Sequence, residues 1–407
     1  MGLENLSASP KWDVTIIGAG VIGLSVGNAL LEARPGLRVL IIDKEPDIGK
    51  HASGRNSGVI HAGFYYSPET LKAKFCKDGN AELRKLCKRN DIPILETGKV
   101  VVTQSSEEES RLEELFRRGI QNGVELEMRE GKDLKVFEPQ ARTLNRFLWS
   151  PTTAVSDPYL VLHAMAKEFH EKGGRIEFQS SALLTSNDEE IGITKKDFEA
   201  KFYINASGAQ SDRISRAVGV GLEYAMLPFM GLYRASSNES LGLRTLVYPV
   251  PHPINPFLGV HFTLTIDGNV KIGPTALPVL GREQYSLKTG WSLDDIRQAA
   301  KGTKSLIFGE SHDVSNIVKS EWPKIVEREI VRQASLLVPN AKNLKKWHKK
   351  PPGIRSQLVH LPTGKLEQDF KIVTKSNSLH VLNAVSPGWT SSIPFARHIV
   401  DLIPQII

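Results

Sequence analysis

The chain has 407 residues, 40% hydrophobic and 24% charged, enough for two sizeable cores and typical of a globular protein. No apolar run reaches the length of a bilayer span, and Met1 to Trp12 shows neither a secretory nor a transit pattern, so a cytoplasmic location is expected. The net charge of +7 comes without a nucleic-acid-binding motif, and the two cysteines, Cys76 and Cys87, are too few for a disulfide framework.

In chain order, residues 13–17 read as a buried strand, Gly18 to Gly23 as a tight turn, and Leu24 to Ala33 as a helix stopped by Pro35 and Gly36. A second strand at 38–42 ends at Asp43, completing a βαβ unit. Charged helices are expected at 69–90 and 106–122, and a third helix over Leu160–Gly173 precedes a short strand at 175–178. A strand at 198–206 and a helix over Ser211–Val218 return to the opening rhythm. From Tyr224 to about Ala276, short β-like runs alternate with Pro and Gly, the pattern of an antiparallel sheet. Residues 292–340 turn helical, Phe370 to Ala384 give two strands, and a helix from Ser392 closes the chain. The densest basic cluster, Lys342 to Lys350, is either a solvated face or a patch for peripheral contact with an anionic membrane.

Gly18-Ala-Gly20-Val-Ile22-Gly23 matches the dinucleotide turn. Its first glycine makes the bend, the second lets the backbone approach a pyrophosphate, and the third packs helix on strand. Asp43, with Lys44 after it, lies twenty residues beyond Gly23, where a carboxylate accepts hydrogen bonds from a ribose diol. No second glycine-rich phosphate loop and no Cys-x-x-Cys pair follows, so electrons are expected to pass directly from a substrate carbon to the cofactor, which points to FAD. The reading is an α/β fold with a discontinuous Rossmann-like FAD-binding domain (11–84, 150–225 and 352–407) and an α+β substrate domain built on an antiparallel sheet (85–149 and 226–351). No His, Cys, Asp and Glu group has metal-ligand spacing.

His51-Ala-Ser-Gly-Arg-Asn-Ser-Gly-Val-Ile-His-Ala-Gly-Phe-Tyr-Tyr66 and Leu71-Lys-Ala-Lys-Phe-Cys-Lys-Asp-Gly79 resemble the L-2-hydroxyglutarate oxidase/dehydrogenase branch of the D-amino-acid-oxidase-like flavoproteins. So do Tyr248-Pro-Val-Pro251, Pro256-Phe-Leu-Gly-Val-His-Phe-Thr263, Gly353-Ile-Arg-Ser-Gln357 and Asn383-Ala-Val-Ser-Pro-Gly-Trp-Thr-Ser-Ser392, in the same order along almost the whole chain. The resemblance implies FAD-dependent oxidation of a small 2-hydroxy acid, L-2-hydroxyglutarate first, by hydride transfer from C2 to flavin N5, with oxygen or a quinone as electron acceptor. An amino-acid or sarcosine-type oxidase on the same fold is the alternative, and a flavin-binding protein without turnover a third reading. The chain departs from the family at Arg55, where His is common. It departs again at Pro228-Phe-Met-Gly-Leu-Tyr233, which has Met230 in place of an Arg, and at Pro387-Gly388-Trp389.

On this reading Ser53, Arg55, Asn56 and Ser57 contact the FAD phosphates and ribityl chain, and Ser207 and Gly208 follow a strand of the same domain. Gly388, Thr390 and Ser391 open the last helix, whose N–H groups would face the flavin. His61 and His261 are the candidate bases, each with a plain core-histidine reading beside it. Arg355 is expected to grip the substrate carboxylate in a bidentate fork, Tyr66 and Tyr248 to cap the pocket, and Arg282 to serve as a second cation. With Met230 replacing the family's Arg, the far carboxylate of hydroxyglutarate needs Arg282 or a Lys, or is held weakly.

Overall fold

The computed structural model describes residues 11–187, 190–251, 258–286, 289–309, 321–344 and 346–405. The amino-terminal residues before Lys11, the Pro256-Phe257 part of one family-like segment, part of the 292–340 helical region and Lys345 of the basic cluster lie outside them.

A six-stranded sheet carries the first layer. Its strands run in the order Lys371–Lys375, Ser378–Asn383, Ala200–Asn205, Trp12–Ile17, Val39–Ile42 and Arg175–Glu177, parallel except for the Lys371–Lys375 edge. In Val39–Ile42 all four residues are buried, because helices cover one face and a further layer the other. Val39 and Ile41 join the core beneath the helices Val21–Ala33, Pro158–Glu171 and Gly388–Asp401, while Leu40 and Ile42 pack on the opposite side with Ile191, Tyr203 and Ile214. Asp157 starts Pro158–Glu171 by accepting hydrogen bonds from the Tyr159 and Leu160 N–H groups, with Pro158 in the first turn.

A ten-stranded sheet forms the second layer. Its two longest strands, Tyr224–Ser237 and His348–His360, pair antiparallel over most of their length. Tyr224–Ser237 is longer than the short runs expected beyond it, with a bulge between Gly231 and Tyr233, and His348–His360 falls where no strand was expected. Most of the Lys342–Lys350 cluster that is described leads into the second of these strands. Asn269–Gly273, His261–Leu264, Leu246–Pro249, Lys99–Val102, Arg146–Ser150 and Glu127–Glu130 continue the sheet in that order.

Two helix starts differ from expectation. The first helix begins at Val21, inside the glycine turn, and the last begins at Gly388 rather than Ser392 and runs through Pro394. Residues 388–392 are all buried, so tertiary packing outweighs the local preference of Pro394 for a helix start.

Candidate active site

A cavity of about 840 Å³ runs from the glycine turn to His61 and Arg355. The fold builds its dinucleotide end from backbone. Gly18 takes φ +110°, and a Cβ there would lie 2.6 Å from the Ala206 carbonyl oxygen. A Cβ on Gly23 would lie 1.9 Å from the Gly18 carbonyl oxygen, so glycine alone permits this approach of helix to strand. Gly20 has ordinary extended angles, φ −76° and ψ 177°, and its Cβ would point toward Ser53 Oγ at 3.1 Å. The turn therefore needs glycine at 18 and 23 for its own backbone packing, whereas at Gly20 an added Cβ would press only on the Ser53 hydroxyl. The Val21 N–H donates to Ser53 Oγ at 3.0 Å. Asp43 accepts from the Ala19 and Glu45 N–H groups, which fixes its carboxylate at the cavity wall. These features fit the pyrophosphate and ribose of FAD.

Ile22, Lys44, Arg55, Asn56, Ser57, Ser207, Gly208 and Gly388 also line this cavity. The Arg55 guanidinium stacks 4.0 Å from the centre of the Tyr285 ring, and Asn56 donates to the Ser53 carbonyl at 2.6 Å. Ser207 donates to Asn205 Oδ1 at 2.6 Å. Thr390 acts one step back: its hydroxyl accepts from the His61 N–H at 3.1 Å and donates to the Val59 carbonyl at 3.3 Å, tying the last helix to the histidine segment. Ser391 is fully buried behind it.

At the other end two buried imidazoles interact, and of the two His61 lines the cavity. Burial, then the charges of Lys99 and His261, hold the His61 pKa well below 6.5. His261 is held down to about 3, chiefly by burial. Its Nδ1 lies 2.9 Å from the Gly259 carbonyl, so Nδ1 donates and Nε2 keeps its lone pair. Its ring stacks on Tyr248, centroids 3.8 Å apart. Tyr248 is buried and Tyr66 half-buried, both with phenol pKa values pushed up by desolvation, and neither lines the cavity. Arg355 lines the cavity from the strand His348–His360 and donates to the Thr275 carbonyl at 3.2 Å, and its charge also acts on His261 and Tyr233.

Two sequence expectations are corrected. Arg282 touches the cavity, but it is only 3% exposed and its guanidinium is occupied. It donates to both oxygens of Asp212, to Asp295 at 3.1 Å and to the Ala209 carbonyl at 2.7 Å. A group paired this fully braces the protein and is not available to a substrate carboxylate. Met230 is buried between Ile354 and Leu277, its strand partners, and the cavity is lined by its neighbour Gly231 and by Tyr233 instead.

The fold also gathers Glu45, His51 and Glu283, a set invisible to sequence spacing. The Lys44 ammonium fills the position a cation would take, 2.6 Å from Glu45 and 2.9 Å from Glu283. Sequence reasoning passed over Tyr233 and Lys99 altogether. Lys99 opens the run Lys-Val-Val-Val, which reads as an ordinary strand end.

A glycine-turn βαβ unit, an acidic strand end, a buried histidine at the cavity and a histidine and an arginine on a second sheet define a flavin-dependent oxidoreductase. The model of the DAO family, FAD dependent oxidoreductases, matches residues 13–402; the chain belongs to this family, and its cofactor is FAD. Among curated relatives it is similar to the L-2-hydroxyglutarate dehydrogenase of Escherichia coli strain K12, 33% identical over 97% of this chain and 94% of the relative. It is likewise similar to the mitochondrial L-2-hydroxyglutarate dehydrogenases of Caenorhabditis elegans, 34% identical over 96% and 93%, and of Bos taurus, 33% identical over 98% and 90%. Among solved structures, the L-alpha-glycerophosphate oxidase of Mycoplasma pneumoniae superposes with a TM-score of 0.73 at 22% identity, covering 96% of this chain and 94% of that one. Glycine oxidase from Geobacillus kaustophilus gives 0.70 at 17% identity, covering 97% and 96%. At those identities the structures establish the fold alone. Among the described residues no helix is long and apolar enough to cross a membrane.

Proposed function

We propose that the chain oxidises L-2-hydroxyglutarate to 2-oxoglutarate. The observation that carries this reading is the pairing of buried His61 with half-buried Arg355 at the far end of the dinucleotide cavity, with His261 buried behind that wall and in electrostatic contact with both, in a chain one-third identical over nearly its whole length to L-2-hydroxyglutarate dehydrogenases. Bound FAD supplies the two-electron acceptor for the hydride leaving C2. Arg355 holds the carboxylate next to that carbon, its planar fork setting the orientation. His61, neutral and lining the cavity, takes the hydroxyl proton, and His261, with Nε2 unprotonated, is the second acceptor within the same group. Tyr248 and half-buried Tyr66, packed behind the histidines, help keep water from the reacting carbon. The chain divides functionally into the six-stranded layer that holds FAD and the ten-stranded layer that holds substrate. Electrons leave to oxygen or a quinone, and the basic stretch ending at Lys350 is the face that would rest on an anionic membrane.

The test is anaerobic bleaching of the yellow holoprotein. L-2-hydroxyglutarate should bleach it with formation of 2-oxoglutarate, and the D enantiomer, glycine and sarcosine should leave it oxidised. Bleaching by an amino acid and not by L-2-hydroxyglutarate would place the chain with the amino-acid oxidases.

A further inference from the structure

Lys99 is the buried cation for which the reaction as described has no use. It sits on Lys99–Val102, an interior strand of the ten-stranded sheet flanked by Leu246–Pro249 and Arg146–Ser150. Its side chain is fully buried, and its ammonium has no hydrogen-bond partner among the described residues. Three aromatic faces enclose it: Phe64 and Tyr65 at 4.6 Å and Tyr248 at 4.7 Å from the ring centres. No carboxylate pairs with it among the described residues, and burial pulls its pKa down to about 7. An aromatic cage softens the desolvation of an ammonium and does not replace a counter-charge.

The surroundings sharpen the point. The Tyr65 hydroxyl and His61 Nδ1 are also buried without partners among the described residues. Lys99 acts electrostatically on both His61 and His261, and Arg355 acts on His261. Two cations thus flank the histidine pair, one on each of two strands of the same sheet, with an unfilled tyrosine donor beside Lys99. Neither Lys99 nor Tyr65 lines the cavity itself; both lie behind His61, which does. A monocarboxylate gripped by Arg355 would leave that donor and that cation unpaired, and a dicarboxylate reaching past His61 would pair them. The flexible four-carbon stem lets the ammonium follow an anion seated beside His61.

We infer that Lys99, with the Tyr65 hydroxyl, binds the substrate carboxylate farther from the reacting carbon and so selects 2-hydroxy dicarboxylates over monocarboxylates of the same length. This rests on the proposed oxidation and deepens it, replacing both Met230 and Arg282 as the determinant of the second carboxylate. Lys99 is a specificity residue: hydride and proton transfer do not pass through it.

The experiment compares wild-type holoprotein with Lys99→Met, which keeps the volume and removes the charge. Binding of glutarate and of pentanoate is followed by the change in flavin absorbance, and turnover of L-2-hydroxyglutarate and L-2-hydroxypentanoate is measured alongside. A lost charge-assisted contact corresponds to about a ten- to hundredfold change. Glutarate affinity and kcat/KM for hydroxyglutarate should fall by about that factor, with the pentanoate and hydroxypentanoate values within about threefold. Loss on both classes alike, or a preference for glutarate that survives in Lys99→Met, overturns the inference while hydroxyglutarate oxidation stands. A glutarate preference abolished by Lys99→Met, in a protein that does not oxidise hydroxyglutarate, sinks the proposed reaction and leaves the Lys99 site intact. Thermal unfolding guards against a folding artefact: removing an unpaired buried charge should leave Tm unchanged or higher. A large drop in Tm would make Lys99 a structural residue and overturn the assignment.

Discussion

His61 and His261 are bases because the protein keeps them from being acids. Burial and neighbouring positive charge favour the neutral imidazole, so His61 titrates well below 6.5 and His261 near 3. As pH falls through such a value the base is protonated and lost. The acid limb of kcat/KM for L-2-hydroxyglutarate, which reports the free holoenzyme, should therefore have its midpoint clearly below 6.5. A limb centred at 6.5 or above would remove both histidines from the role. Both were singled out because they stand in family-like segments; their apolar runs, Val-Ile-His-Ala and Gly-Val-His-Phe, by themselves read as core histidines. Lys99 was not, since no neighbour in sequence hints at its cage; Phe64, Tyr65 and Tyr248 arrive from two other segments.

At the level of the element, the glycine turn separates two functions that a motif lumps together. Gly23→Ala forces a Cβ onto the Gly18 carbonyl and should destabilise the fold by about 1–3 kcal/mol, as overpacking of backbone does. Gly20 meets no backbone: an added Cβ there would press only on the Ser53 hydroxyl, at 3.1 Å, so Gly20→Val should fold once that side chain shifts, with a urea midpoint close to that of the wild-type apoprotein, and lose its yellow flavin because the side chain occupies the pyrophosphate approach. The 450 nm absorbance per chain after gel filtration checks this. Retained flavin in Gly20→Val would mean that the cofactor does not pass over this turn. This unit was legible in sequence because strand, turn, helix and acidic residue lie within thirty or so consecutive residues, and local chemistry dictates each of them.

The two layers are joined through contacts distant in sequence. Arg282 binds Asp212 of the helix Ser211–Arg216 and Asp295 of the helix Leu293–Phe308, which packs on the ten-stranded sheet. Arg282→Met leaves the fully buried Asp212 with Arg216 as its remaining cation, 3.4 Å away, and should lower stability by about 3 kcal/mol. The KM for hydroxyglutarate of the folded fraction should stay within about twofold, a difference of well under 1 kcal/mol. A steep rise in KM with unchanged stability would return Arg282 to the substrate site.

What the sequence determined by itself were the features whose cause is local. These are the βαβ opening, the dinucleotide turn with Asp43, the absence of a second phosphate loop, and the family-like segments around His61, His261 and Arg355. Only the tertiary structure decided which cations are available. Arg282 reads as a free arginine until Asp212, seventy residues upstream, is folded against it, and Lys99 reads as a strand end until three rings close over it. Charge in a protein interior takes its role from what it is paired with, and pairing is a property of packed surfaces that no local stretch of chain contains.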